Sequence, residues 1–144
     1  MPANARHKKA RLIRDYMIEA KMITMFQEQE TEDTIFFRSL YPMGEDKIQL
    51  VIDINDTIYL GVQALLIPKI SEGKEEAVLS CINQMNLAFP TVKYVLTKDQ
   101  GVIASMFFVA DENHFNAEMT MGVIVQMMRN VASSHYATLK ASTE

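Results

Sequence analysis

The stretch LSCINQMNLAFP, residues 79–90, sets a thiol and two amides at steps of two and three residues. At helical spacing such groups either line a small polar site or satisfy backbone groups where a helix end is buried. With about 100° of rotation per residue, Val78, Ile82, Met85 and Phe89 line the centre of an apolar arc, with Leu79 to one side. Asn86 falls inside that arc and Asn83 at its edge. Asn86 is therefore expected to be largely buried, bonded to the last carbonyls of its own helix or to the backbone turning at Pro90. Asn83 is expected to be its half-exposed neighbour. Both read as structural amides, with a ligand-holding amide pair as the alternative. Cys81 lies toward the opposite shoulder with no His, Lys or Arg near it in sequence, so it reads as a small hydrophobe.

Two further clusters carry chemistry-bearing types. In ADENHFNAE, Asp111, Glu112, His114 and Glu118 resemble a ligand set. They lack a second histidine at useful spacing and sit where a loop enters a helix, so capping by Asp111, Asn113 or Asn116 accounts for them. In DINDT, Asp53 and Asp56 suggest paired acids, but one belongs to the polar face of a strand and the other to a turn, which makes solvation the expectation. No GxGxxG, Walker A, HExxH or GxSxG pattern occurs. The expectation is a protein without catalytic residues, cofactor or metal, with an enzyme assembled from dispersed residues kept as an alternative.

The totals fit one domain: 144 residues, 49% of them apolar, with mean hydropathy near zero. No apolar run reaches the roughly 18–20 residues of a membrane span, and the opening residues lack the apolar segment of a secretory signal. One cysteine allows no intrachain disulfide, so a reducing cytoplasm is the expected setting. The net charge of −4 conceals an asymmetry. Arg6, Lys8, Lys9, Arg11 and Arg14 give the first fourteen residues +5, which leaves −9 for the remaining 130. Residues 1–10 are expected to form a loose basic arm, because cations at a helix start oppose its dipole. Such an arm could contact nucleic acid.

The elements follow from period. RLIRDYMIEAKMI predicts an amphipathic helix near residues 9–22. ITMFQEQ and TIFFRSLY predict two strands, the second ended by Pro42 and Gly44. KIQLVIDIND alternates, with Ile48, Leu50, Ile52 and Ile54 on one face. TIYLGVQALLIP is apolar on both faces, hence central. A helix follows from about Glu72, with Ser71 as N-cap, to about Leu87. Next comes a hairpin whose turn holds Gly101 at positive φ, and last a helix from N-cap Asn116 to Leu139. The order is αββββαββα, an α+β domain with an antiparallel sheet over residues 11–140 and a tail at 141–144. Gly122 inside the last helix implies close approach of a strand or a second subunit.

That last helix carries two apolar lines. Met121, Ile124, Val125, Met128, Ala132 and Leu139 form a core stripe, while Met119, Val123 and Met127 form a second line. The second line serves either a deep core or an interface, for which methionine is suited. The sheet's own second apolar face needs cover, which points to a homodimer.

The INQMNLAF core, the VKYVLTKDQGVIASMFFVA hairpin and the terminal VIVQMMRNVASSHYATL resemble the YbjN-like domain family, across roughly residues 10–140. That family is described as bacterial sensory-transduction regulators, and its fold is similar to that of type III secretion chaperones. It has no established catalytic residues, and none is carried over. The resemblance implies a small bacterial cytoplasmic protein that acts as a dimer through protein contacts. The expected function is non-enzymatic, chaperone-like or adaptor binding of a protein client by a homodimer, with a nucleic-acid-contacting regulator as the alternative.

Overall fold

A computed structural model describes residues 5–144. Helix α1 spans Ala5–Glu19 and is followed by one 3-10 turn, Ile23–Met25. Strands β1 (Gln27–Glu30), β2 (Thr34–Met43), β3 (Asp46–Asn55) and β4 (Tyr59–Ile67) come next. Then follow α2 (Glu75–Ala88), β5 (Lys93–Leu96), β6 (Val102–Val109) and α3 (Ala117–Asn130). A π-turn, Val131–His135, joins α3 to α4 (Tyr136–Ser142). The class is α+β with one six-stranded antiparallel sheet in the order β1-β2-β3-β4-β6-β5. The first four strands form a meander, and α2 carries the chain to the far edge, where β6 pairs back onto β4.

The alternation in β2 and β3 places its apolar set as expected. Ile52 lies opposite Phe37 on one side and opposite Val62 on the other, and all three are fully buried. Ile13 and Met17 of α1, Val78 of α2 and Met121, Ile124 and Met128 of α3 complete this core. All the helices cover that one face. The opposite face carries Tyr59, Phe107 and Val109 in the open, so the second apolar face inferred from sequence lacks cover among the described residues.

Helix α1 begins at Ala5, and the loose basic arm expected at residues 1–10 is a helix over its described part; residues 1–4 lie outside the described residues. The Asp56 carboxylate accepts from the Arg6 backbone N–H at 2.9 Å and from the Arg6 guanidinium at 2.6 Å. A carboxylate brought to the first turn offsets the unfavourable placing of cations there. Those two hydrogen bonds hold the Asp56 carboxyl below its ordinary range, the backbone one contributing most. Lys9 is fully buried, donating to the carbonyls of Thr57 at 2.8 Å and Tyr59 at 3.2 Å, and burial lowers its pKa. His7 pairs with Glu30, Lys8 with Glu112 and Arg14 with Glu28. The helix ends earlier than expected because Lys21 adopts a φ of 59°. Met22 N–H then reaches the Met17 carbonyl and Lys21 N–H that of Ile18, a helix-closing pattern usually built on glycine.

Four other expectations shift. Helix α2 starts at Glu75 without a side-chain cap, because Gly73, at φ 82°, breaks the path from Ser71. In the β5–β6 turn the positive φ falls on Gln100. Gly101 is required for space, since a Cβ there would lie 3.0 Å from the Pro68 carbonyl oxygen and 3.2 Å from that of Ile67. Gly122 has nothing within 4 Å of an added Cβ, so among the described residues no strand approaches it. The residues assigned to a C-terminal tail begin inside α4, and Thr143 is buried, its hydroxyl donating to the Lys140 carbonyl at 2.7 Å.

The π-turn adds one residue to the helical path and turns both His135 and Tyr136 inward. The Tyr94 hydroxyl bonds His135 Nδ1, Phe89 meets the imidazole edge-on at 4.1 Å, and Nε2 is buried without a partner. Burial lowers the His135 pKa below 6.5. Between its folded and unfolded pKa values the unfolded chain holds more protons, so stability must fall as pH drops through that window. Urea titrations from about pH 7.5 down to about pH 5 should show a falling midpoint, and His135→Gln should flatten the fall. An equally steep fall in the variant would assign the effect to other groups.

Candidate protein-binding surface

The chemistry-bearing clusters of the sequence resolve into structure. Asp111 accepts from the Asn113 N–H at 3.0 Å and from His114 Nδ1 at 3.3 Å. Asn116 caps α3 by accepting from the Met119 N–H at 2.9 Å. Glu118 lies exposed on the first turn. Among the described residues no group of three or more His, Cys, Asp or Glu is placed to hold a metal ion. Asp53 and Asp56 are not a pair. Asp56 belongs to Arg6, whereas Asp53 lies half-buried on the helix-free face, where burial raises its pKa. Cys81 is half-buried and packs against the core.

Asn86 does bond backbone, but the partner lies farther along the chain than expected and the residue is only half-buried. Its Nδ2 donates to the Tyr94 carbonyl at 3.0 Å, and its Oδ1 accepts from the Tyr94 N–H at 2.7 Å. The side-chain amide thus acts as a one-residue strand against the outer edge of β5. Asn83 is exposed, flanked one helical turn away on each side by Leu79, 50% exposed, and Leu87, 77% exposed. Leu79 therefore leaves the core arc assigned to it. So does Phe89, which closes over His135 from an exposed position.

The second line on the last helix is divided. Met119 is 66% exposed and Val123 41%, but Met127, at 4%, belongs to the core. The line fails at Met127 because α3 lies with one flank of that line against α1 and the sheet. Two residues remain on the surface, a short strip.

The feature not legible in the local pattern is the open part of β2. Met43 and Asp46 flank a two-residue turn, so they form a hydrogen-bonded pair. Alternation then directs the backbone groups of Tyr41, Ser39, Phe37 and Ile35 toward β3, and those of Pro42, Leu40, Arg38 and Phe36 away from it. Strand β1 pairs with β2 only as far as Gln27 opposite Arg38. Beyond that point the chain leaves the sheet through Phe26 and the 3-10 turn. Among the described residues, Leu40 N–H and C=O and the Pro42 carbonyl are left with no strand beside them. Pro42 was expected to end the strand, but β2 runs through it. The missing N–H of proline costs nothing where the edge is unpaired, and it was the one available signal of that edge.

A groove of about 560 Å³ follows this open edge, walled by Met25, Phe26, Arg38, Ser39, Leu40 and Gln49. Leu40 is 62% exposed in it. Met25, Phe26 and Ser39 also border a second cavity of about 180 Å³ that runs inward beneath α3, among Met22, Tyr41, Leu50, Met121, Ile124 and Met128. Arg129 stands at its wall. Neither Arg38 nor Arg129 forms an ion pair among the described residues, and Arg38 instead lies 5.1 Å from the centre of the Phe36 ring.

No family model matches the chain, and no curated protein matches it. No helix among the described residues is long and apolar enough to cross a membrane.

Proposed function

We propose that this chain is a non-enzymatic protein-binding domain of the chaperone or adaptor kind. It works as a homodimer, and a partner's extended segment completes the sheet along the open part of β2. The observation that supports this most directly is the unpaired backbone at Leu40 and Pro42, lying along a groove of about 560 Å³. Strand addition uses such main-chain groups for affinity and flanking pockets for selectivity. The resemblance to YbjN-like domains, with their type III secretion chaperone-like fold and cytoplasmic setting, agrees with that role. Against the nucleic-acid alternative, Arg6, Lys8, Lys9 and Arg14 each meet a carboxylate or carbonyl of the chain, which leaves Arg11 as the exposed cation of that segment without an ion pair among the described residues.

Hydrogen exchange tests the assignment residue by residue. In the free chain the Leu40 amide should exchange quickly while Ser39 and Tyr41, bonded to β3, exchange slowly. In a complex with the native partner Leu40 should become slow. Unchanged Leu40 exchange in that complex would refute strand addition at β2.

A further inference from the structure

We infer that the methionine-lined cavity beneath α3 is the anchor pocket of the β2 edge. It takes one large apolar side chain, phenylalanine or leucine, from an extended segment whose adjacent residues are acidic. The inference rests on the strand-addition reading above and adds the chemistry of the partner.

Strand geometry supplies the placement. A residue set opposite Leu40 keeps its side chain on the helix-free face, beside Arg38. The next residue, opposite Ser39 or Tyr41, points to the inner face, where Ser39 and Tyr41 themselves border the cavity. At about 180 Å³ the space compares with the roughly 150 Å³ apolar cavity that accepts a benzene ring. A phenyl ring or an isobutyl group therefore fits, and a second backbone does not. The walls contributed by Met22, Met25, Met121 and Met128 adjust to either shape. The charges decide the flanking residues. Both neighbours of the anchor point to the helix-free face, where Arg38 lines the groove without an ion pair among the described residues, so acidic residues on either side of the anchor match it. A second copy of this chain fits less well, since pairing β2 edges would bring two Arg38 side chains into one groove.

The test uses the full chain and the synthetic peptide acetyl-Thr-Glu-Phe-Glu-Thr-Thr-amide, read by the backbone amide signal of Leu40 and the methyl signals of Met121 and Met128. The peptide should move all three. Its Phe→Ala version should bind about tenfold more weakly or worse and move Leu40 alone, and replacing both Glu by Lys should also weaken binding, by a factor that shrinks with salt. Ser39→Leu, which fills the cavity mouth, should abolish the preference for Phe over Ala. Equal binding of the Phe and Ala peptides with Leu40 still responding would overturn the anchor pocket and leave strand addition standing. A silent Leu40 signal with every peptide would overturn strand addition itself. Methyl shifts produced equally by hexanoate, with Leu40 unmoved, would make the cavity a small-molecule site, and Leu40 protection rising with protein concentration alone would make a second copy the occupant.

Discussion

Asn86→Leu should lower the unfolding free energy by about 2–4 kcal/mol, seen as a shifted urea midpoint with an unchanged slope. Leucine suits the apolar side of α2, so the loss would not come from poorer packing. It would come from Tyr94, whose N–H and C=O both bond the Asn86 amide. Tyr94 is almost fully buried, and a buried backbone group without a partner costs about 1–3 kcal/mol. A loss below about 0.5 kcal/mol would mean that water replaces the amide, and that α2 is held by Val78, Ile82 and Met85 alone. Asn83→Leu provides the control: the same change on the exposed side of the helix should leave the monomer's stability within about 0.5 kcal/mol.

Leu87→Glu should convert the proposed dimer into a monomer, raising its dissociation constant by about 100-fold or more. Leu79, Asn83 and Leu87 follow one another at four-residue steps along the exposed side of α2. Two such helices crossing antiparallel about a two-fold axis at Asn83 would set Leu79 of each against Leu87 of the other. The asparagines would face one another at the axis, an arrangement that fixes register at some cost in affinity. An isologous contact doubles every change, so one substitution buries two glutamates. Light scattering during size exclusion at micromolar concentration reads the outcome. A Leu87→Glu protein that stays dimeric would remove α2 from the interface. Loss of the dimer on Met119→Glu instead would transfer it to Met119 and Val123.

The parts of the fold set by short-range alternation were legible. Ile48, Leu50, Ile52 and Ile54 declared their face two residues at a time, and Asn116 declared its cap from position alone. Features joining distant segments were not. The start of α1 depends on Asp56, fifty residues beyond Arg6, and no window on the basic segment contains that carboxylate. Reading cations against the helix dipole was sound locally and was overridden by this tertiary partner. Met127 joins the second line because its spacing from Val123 is helical, but spacing cannot tell whether a line serves core or interface, and here it is divided, with Met127 in the core and Met119 and Val123 outside it. The open part of β2 depends on where β1 stops pairing, which turns on a 3-10 turn that a polar-strand pattern conceals. Asn86 was recognised as a structural amide, yet its partner lay beyond the turn where its helix ends.

The treatment of the two sheet edges has a consequence for assembly. At β5 the edge is stopped at Tyr94 by the Asn86 amide; at the other end the edge strand β1 is four exposed residues blunted by the charges of Glu28 and Glu30, and beside it β2 is open for only a few residues. A molecule with sticky backbone at one end and a blocked opposite end can terminate a growing ladder of strands but cannot extend it. Under the proposed strand addition it would take an aggregation-prone segment from another protein without seeding a fibril of its own.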